Sequence, residues 1–283
     1  MSAKILDGKI LAVRIKEQLI KDIAALKSGT GKVPRFVSIS VGEDPAGASY
    51  ALSQERTARE LGIAYERKVF SASVTESEVL ADIRAFNADP LTHAIIVNKP
   101  LPAHLDLNTL IEVIYPDKDA EGLNSYNQGR IFSGTAFLIP CTPAAVMAHI
   151  KSTAIDLKGK EAVVLGRSEI IGKPIAMLLL KENATVTICH SKTKNLPEHV
   201  QRADIVVAAI GKPLFVKGDW IKPGAIVIDV GTNRIDGKIV GDVDFESAKE
   251  KAGYITPARG GVGPVTSVML MKNVFWMFNA QVK

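Results

Sequence analysis

Cysteines and long apolar runs are scarce in this sequence, and each scarcity excludes a class of protein. Only two cysteines occur among 283 residues, Cys141 and Cys189. Their wide separation suggests neither a disulfide framework nor the spacing of a metal knuckle. No stretch approaches the roughly 20 apolar residues of a membrane-spanning helix. The charged, amphipathic N-terminal segment also lacks the apolar centre of a signal peptide. These features predict a cytoplasmic protein in a reducing compartment, with no membrane partner.

Clustered charge is missing as well. The chain has 35 Lys and Arg against 30 Asp and Glu, a formal net charge of +5. This excess is spread along the chain without a basic tail or run. Nucleic-acid-binding proteins usually carry a clustered basic surface, so the mild excess favours anionic small molecules over nucleic acid. The five histidines share no metal-ligand spacing, and we predict no metal site.

Length and composition suit a soluble enzyme or binding protein of two domains. The residues are 47% hydrophobic, 23% charged and 6% aromatic, which is typical of globular proteins. The length exceeds the usual size of one domain. The first third alternates helical and extended patterns as βαβαβ, which predicts a parallel sheet covered by helices. Its ligand-binding edge is expected at Val41-Gly42 and Val97-Asn98, where strands end.

A second alternation of strands and helices begins after the turn-rich stretch at 116–134. It predicts a second sheet with its own helices, followed by a final helix whose apolar face must be buried. The first domain is the expected host of that helix. We therefore predict an α/β fold with one domain formed by residues 1–140 plus 265–283 and another formed by 141–264.

The strongest chemical signal in the second half is the strand-to-helix turn of "VVLGRSEIIGKP". A predicted strand ends in Gly166, a short loop carries Arg167 and Ser168, and Gly172 opens a helix. The free N–H groups and positive dipole end of a helix N-terminus suit a phosphate. The spacing departs from G-x-G-x-x-G, so a turn made for packing alone is the alternative.

A polar cluster one strand later favours the nucleotide interpretation. The segment "CHSKTK" places His190 and Ser191 where a Rossmann domain selects its ribose. An NAD site tends to have an acidic residue there, whereas hydroxyls and cations suit a 2′-phosphate, so NADP is the predicted cofactor. A solvated turn is the alternative. The order of the two segments, one strand apart in a βαβ unit, favours nucleotide binding.

Several longer motifs resemble one enzyme family in the same order along the chain. In the second half these are "GRSEIIGKP", "TVTICHSKTK", "VIDVG", "GDVDFE" and "ITPARGGVGPVT"; in the first half they are "VGEDPAGASY", "IIVNKPLP", "DKDAEG" and "NQGR". Together they resemble the NADP-dependent methylenetetrahydrofolate dehydrogenase/methenyltetrahydrofolate cyclohydrolase family, which is usually bifunctional. The resemblance covers essentially the full length.

The resemblance implies a fold, a reaction and a set of site residues. It implies a folate domain completed by the last helix, a Rossmann-like NADP domain, a cleft between them and a homodimer. The reaction oxidises 5,10-methylenetetrahydrofolate and then hydrolyses the methenyl product to 10-formyltetrahydrofolate. Implied catalytic positions are Tyr50, Gln54, Asn98 and Glu121, of which Tyr50 stacks on the folate and Glu121 binds the pterin. Further substrate positions are Pro100, Arg259, Gly260 and Gly261. The cofactor positions are Gly166, Arg167, Ser168, Gly172, His190, Ser191 and Thr232, with Arg167, Ser168 and Ser191 on the 2′-phosphate.

Four positions depart from the family's pattern. The lysine of Y-x-x-x-K is Gln54 here, the glutamine of V-Q-L-P-L-P is Asn98, and the pterin-binding aspartate is Glu121. Arg259 stands where the family has proline. Because glutamine cannot take up or release a proton near neutral pH, we predict NADP-dependent dehydrogenation with weak or absent cyclohydrolase activity. In this interpretation Gln54 and Asn98 orient the substrate.

Other functions stay open from the sequence. A rearranged proton relay would preserve both activities, although Lys99 is a poor replacement because adjacent extended residues point to opposite sides. With Lys99 and Arg259 added, a modified folate or another reduced pterin carrying a one-carbon unit is a further alternative. The third alternative is a non-catalytic protein that binds folate or NADP. Glu121 retains a carboxylate, which favours an unchanged role for that position.

Overall fold

The computed structural model describes residues 2–42 and 44–282. Its strands are β1 (Lys4–Ile5), β2 (Arg35–Val41), β3 (Ala64–Phe70), β4 (Ala94–Val97), β5 (Glu161–Leu165), β6 (Thr185–Cys189), β7 (Ile205–Ala208), β8 (Ile226–Asp229), β9 (Asn233–Ile235), β10 (Lys238–Val240) and β11 (Tyr254–Ile255). Its α-helices are α1 (Gly8–Thr30), α2 (Pro45–Leu61), α3 (Glu76–Ala88), α4 (Leu107–Val113), α5 (Ser125–Phe132), α6 (Cys141–Lys151), α7 (Gly172–Lys181), α8 (Leu196–Gln201), α9 (Phe245–Ala248) and α10 (Val262–Gln281).

The chain divides into two compact units, named here by their sheets. The three-stranded unit comprises Arg14–Arg130, Phe137–Ile139 and the chain from Ser267 onward; the six-stranded unit comprises the chain up to Val13, Ile131–Ala136 and Pro140–Thr266. Within the described ranges, 2–42 and 44–282, no helix is long and apolar enough to cross a membrane.

The three-stranded unit is a parallel sheet in the order β3-β2-β4. The central strand β2 is buried almost throughout, because apolar side chains such as Val37 and Ile39 pack into the core with Ile95 of β4. Strands β2 and β4 end at Val41 and Val97, where the sequence predicted the strand ends.

Local signals determine the helix ends in this unit. Thr75 caps α3 through a capping box with Glu78, in which the threonine side chain accepts the N–H of Glu78 and the glutamate accepts the N–H of Thr75. This arrangement satisfies two free N–H groups at the helix start. Gly62 ends α2 in a left-handed conformation with φ of 74°, as the sequence predicted. These ends fix where α2 and α3 leave the sheet.

The six-stranded unit is an all-parallel sheet in the order β1-β11-β8-β7-β5-β6. Its strands are apolar on both faces because helices cover both sides of such a sheet. Val163, Val206 and Val227 are fully buried in its core. Strands β9 and β10 form a separate antiparallel hairpin.

The N-terminal residues lie in a different unit from the one expected. They were expected in the first domain, but Lys4 and Ile5 pair in parallel with Tyr254 and Ile255 and so extend the six-stranded sheet. Helix α6 begins at Cys141 with no side-chain cap.

The C-terminal helix α10 contributes most of its length to the three-stranded unit, as predicted. The side-chain amide of Asn273 donates to the carbonyl oxygens of Ala120 and Ile139, at 3.0 Å each. Gln281 donates to the carbonyl oxygens of His93 and Asp117. These bonds tie the helix to the segment that carries Glu121.

Candidate active site

Helix α2 carries the first two candidate residues at the predicted spacing. Its start is capped by Asp44, whose carboxylate accepts the N–H of Gly47 at 2.6 Å. Tyr50 and Gln54 follow one turn apart, but their surroundings differ sharply. The tyrosine side chain is exposed, at 37%, whereas Gln54 is 3% exposed. Tyr50 therefore presents an aromatic face, and Gln54 belongs to the interior.

Gln54 is the centre of a buried polar network beneath α2. Its Oε1 accepts hydrogen bonds from the hydroxyls of Ser38, at 2.9 Å, and Tyr65, at 3.3 Å. Its Nε2 donates to Oδ1 of Asn98 at 3.0 Å. The amide of Asn98 then donates to the hydroxyls of Ser38, at 2.7 Å, and Ser40, at 3.2 Å.

This network is neutral and internally satisfied. Both ends of the Gln54 amide have partners within it, and both N–H groups of the Asn98 amide are used. Amides and aliphatic hydroxyls are neither protonated nor deprotonated near pH 7, and burial raises the pKa of the Tyr65 phenol above its already high ordinary value. The network around Gln54 therefore contains no group that could act as an acid or base at neutral pH.

Glu121 lies on a loop that buried polar groups hold in place. The carboxylate of Asp119 accepts backbone N–H groups from Gly122, at 3.0 Å, and Asn124, at 2.8 Å, and a side-chain N–H from Asn127 at 3.1 Å. A loop with this many internal bonds holds Glu121 in a defined position before any ligand binds.

Burial raises the pKa of the Glu121 carboxyl to about 7. The nearby positive charge of Lys99 acts in the opposite direction, and the negative charge of Asp119 adds to the rise. The group is therefore divided between its charged and neutral forms near neutral pH.

Lys99 is exposed whereas the neighbouring Asn98 is buried, as expected for adjacent residues in an extended segment. Pro100 follows through a cis peptide bond and is exposed.

The six-stranded unit contains a cavity of about 290 Å³ at the carboxyl ends of its strands. The lining residues are Leu165, Gly166, Arg167, Ser168, Cys189, His190, Ser191, Leu196, Ala209, Ile210, Lys212 and Phe215. Five of the seven predicted cofactor residues are thus brought together. Gly172 and Thr232 are outside the lining, and Thr232 is exposed. The wall of this cavity at 209–215 follows β7 and was not predicted from the sequence. The rule that ligands bind at the carboxyl ends of parallel strands could have identified it.

The turn after β5 fits a nucleotide phosphate. Gly166 has a φ of 126°, and a Cβ there would lie 2.3 Å from the carbonyl oxygen of Ala209. A Cβ on Gly172 would lie 2.2 Å from the carbonyl oxygen of Gly166, so the helix start can approach the turn only with glycine at both positions. Arg167 and Ser191 add a guanidinium and a hydroxyl at the cavity. These are donors suited to a phosphate group.

The glycine loop at 259–261 belongs to the same unit. Arg259 is exposed. The N–H of Gly8 donates to the carbonyl oxygen of Gly260 at 2.8 Å, and Nε2 of His149 lies 3.3 Å from that of Gly261. His149 is 1% exposed, and burial lowers its pKa. The structure thus places this histidine in the core.

The part of the chain that the structure describes contains no cluster of metal-ligating side chains. Among residues 2–42 and 44–282, no group of three or more His, Cys, Asp and Glu side chains is placed to hold a metal ion.

A parallel sheet with a glycine turn and a phosphate-suited cavity at its carboxyl edge is typical of the nucleotide-binding class of α/β proteins. Residues 140–282 match the family described as "Tetrahydrofolate dehydrogenase/cyclohydrolase, NAD(P)-binding domain". Residues 6–121 match "Tetrahydrofolate dehydrogenase/cyclohydrolase, catalytic domain". The chain therefore belongs to the tetrahydrofolate dehydrogenase/cyclohydrolase family, which confirms the resemblance and the predicted two-domain α/β fold.

Similar proteins extend over the whole chain. The bifunctional protein FolD of Bacillus velezensis is 49% identical over 274 residues, which is 96% of each chain. The FolD protein of Bacillus subtilis is 48% identical over the same length and coverage. A crystal structure of the bifunctional enzyme FolD from Campylobacter jejuni superposes with a TM-score of 0.95, at 41% identity, and covers 99% of this chain and 100% of that one. The Trypanosoma brucei enzyme, solved in complex with NADP and an inhibitor, has a TM-score of 0.94 and 37% identity, with 100% and 99% coverage.

Proposed function

We propose that this protein is an NADP-dependent 5,10-methylenetetrahydrofolate dehydrogenase whose cyclohydrolase activity is weak or absent. Family membership supports the substrate and the oxidation. The observation that carries the second part is the buried, neutral network around Gln54, the residue that the motif resemblance aligns with the family's lysine. We further infer a homodimer that acts in the cytoplasm; sedimentation velocity and cell fractionation would test these two inferences.

The folate roles proposed for the three-stranded unit agree with the exposure of each side chain. Tyr50 presents a ring on which the pterin can stack. Glu121 lies on the loop that Asp119 holds in place. When its carboxyl is ionised, it accepts the N–H groups of the pterin. Gln54 acts through Asn98, because its Nε2 donates to Asn98 and its Oε1 accepts from Ser38. Pro100, next to Lys99, completes this part of the proposed substrate site.

The cofactor roles belong to the six-stranded unit. Arg167, Ser168 and Ser191 line the cavity, and we propose that they bind the 2′-phosphate that distinguishes NADP from NAD. Gly166 and the start of α7 approach the pyrophosphate through their backbone. His190 lies beside the ribose, and Arg259 with its two following glycines lies near the nicotinamide. NADP supplies the hydride acceptor for the oxidation.

Hydrolysis of the methenyl product asks more of the protein than oxidation does. A water molecule must lose a proton as it attacks the methenyl carbon, and a nitrogen must gain one as its C–N bond breaks. A positioned proton carrier contributes about 10²- to 10⁴-fold to such a step. Gln54 and its partners Asn98 and Ser38 cannot supply this contribution, so we expect hydrolysis to proceed close to its spontaneous rate.

A paired assay on one preparation tests the proposal. Reduction of NADP with methylenetetrahydrofolate measures oxidation, and the decay of methenyltetrahydrofolate absorbance, corrected for the uncatalysed reaction, measures hydrolysis. The 48%-identical Bacillus subtilis FolD serves as the comparison enzyme in both assays. We expect oxidation with little accelerated decay. Loss of both signals would overturn the substrate assignment and favour a modified pterin or a non-catalytic binding protein.

A second candidate function is retained bifunctionality with Glu121 as the proton carrier. The observation in its favour is the pKa of about 7 that burial gives this carboxyl, which is suited to proton transfer at neutral pH. Glu121→Gln distinguishes the two candidates at saturating folate. If Glu121 carries the proton, this change abolishes accelerated hydrolysis while the maximal rate of oxidation is largely kept.

A further inference from the structure

Two buried carboxylates lie beneath the loops at the cofactor edge of the six-stranded sheet. Asp229 ends β8 and is 4% exposed, and Asp242 follows β10 and is fully buried. Oδ2 of Asp242 accepts the backbone N–H groups of Ile210, at 2.7 Å, and Gly211, at 2.9 Å. Its other oxygen accepts the side-chain amide of Asn233 at 2.9 Å.

Asp229 in turn holds Asp242 in place. Its Oδ1 accepts the N–H groups of Gly231, at 2.9 Å, and Asp242, at 3.0 Å, and its Oδ2 accepts that of Val243 at 2.9 Å. Its own backbone N–H donates to the hydroxyl of Thr256 at 2.8 Å. The two carboxylates therefore join the segments that follow β7, β8 and β10, and the backbone of Asp229 adds a bond to Thr256 after β11.

Close packing leaves this arrangement little freedom. A Cβ on Gly231 would lie 2.4 Å from Cγ of Asp242, and one on Gly241 would lie 1.8 Å from an oxygen of Asp229. The backbone thus wraps the carboxylates so closely that only glycine fits at either position. Because charge-assisted bonds to backbone N–H groups are roughly twice as strong as neutral ones, the carboxylates fix the conformation of the loops that they contact.

The loop bound by Asp242 is one wall of the cofactor cavity. Ala209, Ile210 and Lys212 line that cavity, and the two N–H groups held by Asp242 belong to Ile210 and Gly211. We propose that Asp242, supported by Asp229, is a positioning residue that presets this wall and thereby sets nucleotide affinity. A wall fixed in advance lowers the entropy lost when the nucleotide binds. The inference rests on the NAD(P)-binding domain and is independent of folate chemistry.

Asp242→Asn tests the inference because the neutral amide has nearly the same shape but retains only one acceptor oxygen. Binding of NADPH, and of NADH for comparison, is followed by nucleotide fluorescence in the absence of folate. Hydrogen exchange of peptides spanning residues 209–215 reports the loop directly. We expect NADPH binding about tenfold or more weaker and faster exchange at Ile210 and Gly211. The maximal rate at saturating nucleotide should change less than about twofold.

Asp244→Asn is the matched control. Asp244 is two residues further on and pairs with Lys217 at 3.5 Å, so the same chemical change there should alter neither binding nor exchange. Wild-type affinity in a folded Asp242→Asn protein would overturn the inference, even with faster exchange. If that variant does not fold, Asn233→Ala removes a partner of Asp242 and should weaken NADPH binding roughly threefold; unchanged affinity would then reject the inference. Absence of folate oxidation in the wild type would refute the proposed function without affecting this test.

Discussion

Replacement of Gln54 by lysine should introduce the proton carrier that the network lacks. The ammonium can donate to Oδ1 of Asn98 and to the hydroxyl oxygens of Ser38 and Tyr65, all within the present hydrogen-bonding range of the amide. We expect hydrolysis of methenyltetrahydrofolate to rise by about 10²- to 10⁴-fold, which corresponds to a barrier lower by about 2.7–5.5 kcal/mol.

The same change should lower stability. The Ser38 hydroxyl loses its acceptor, Oε1 of Gln54, whereas the Tyr65 hydroxyl keeps the carbonyl oxygen of Ala51 as an acceptor at 3.2 Å. In addition, a charge replaces a neutral group at a site that is 3% exposed. A buried group left without its partner costs about 1–3 kcal/mol, and roughly 2–4 °C of melting temperature is lost per kcal/mol in a protein of this size class. Thermal unfolding followed by circular dichroism measures this cost.

Gln54→Met is the control for Gln54→Lys because methionine has a similar length and carries no exchangeable proton. The assay is methenyltetrahydrofolate decay at equal concentrations of folded protein. Equal decay rates for the lysine and methionine variants would refute the reasoning. The wild-type protein could also hydrolyse methenyltetrahydrofolate far above the spontaneous rate. If that rate is unchanged by Gln54→Met, the proton carrier is a residue outside the Gln54 network.

Three further predictions follow from charges at the two units. The pKa of Glu121 is about 7, so its ionised fraction grows as pH rises from 6 to 8; KM for the folate should fall over that range, and Glu121→Gln should remove the trend. Arg167→Ala should raise KM for NADP roughly tenfold more than KM for NAD, measured with both nucleotides. His93 accepts the N–H of Arg35, and burial lowers its pKa from 6.5 to about 4. As pH falls, His93 therefore gains a proton in the unfolded chain before it does so in the folded protein. The free energy of unfolding should drop as pH falls from about 6.5 to 4, measured by urea unfolding, and His93→Gln should lessen that drop.

Most of the fold is predictable because its elements carry strong local patterns. Buried parallel strands such as β4 and β7 show as short apolar runs, and Thr75 and Gly62 mark helix ends through capping and left-handed conformation. Strand β1 could not be predicted in this way. It has only two residues, both exposed, and its place depends on pairing with Tyr254 and Ile255 at the other end of the sequence.

The candidate site is predictable in its residues but not in their surroundings. Spacing of four places Tyr50 and Gln54 one turn apart, yet it does not show that one is exposed and the other buried. That difference arises from Ser38 on β2, Tyr65 on β3 and Asn98 just after β4, which meet only in the folded sheet. In the sequence, Ser38 looks like an ordinary polar residue of a strand.

The residues that line the cofactor cavity were also predictable only in part from the sequence. Motif resemblance identified the turn after β5 and the segment after β6, because both carry distinctive glycine, hydroxyl and basic residues. The wall at Ile210 was missed because its function depends on backbone N–H groups, which every sequence has. Its partner Asp242 lies 32 residues away in the chain, so only the fold brings the two together.

The most direct test of a dehydrogenase without a working cyclohydrolase is a single reaction followed at two wavelengths. NADP and methylenetetrahydrofolate are mixed with the enzyme, and NADPH and methenyltetrahydrofolate are quantified together over time. We expect the methenyl compound to accumulate in step with NADPH until spontaneous hydrolysis overtakes it. NADPH formation with little methenyl compound at any time, and 10-formyltetrahydrofolate in its place, would contradict the role assigned to Gln54.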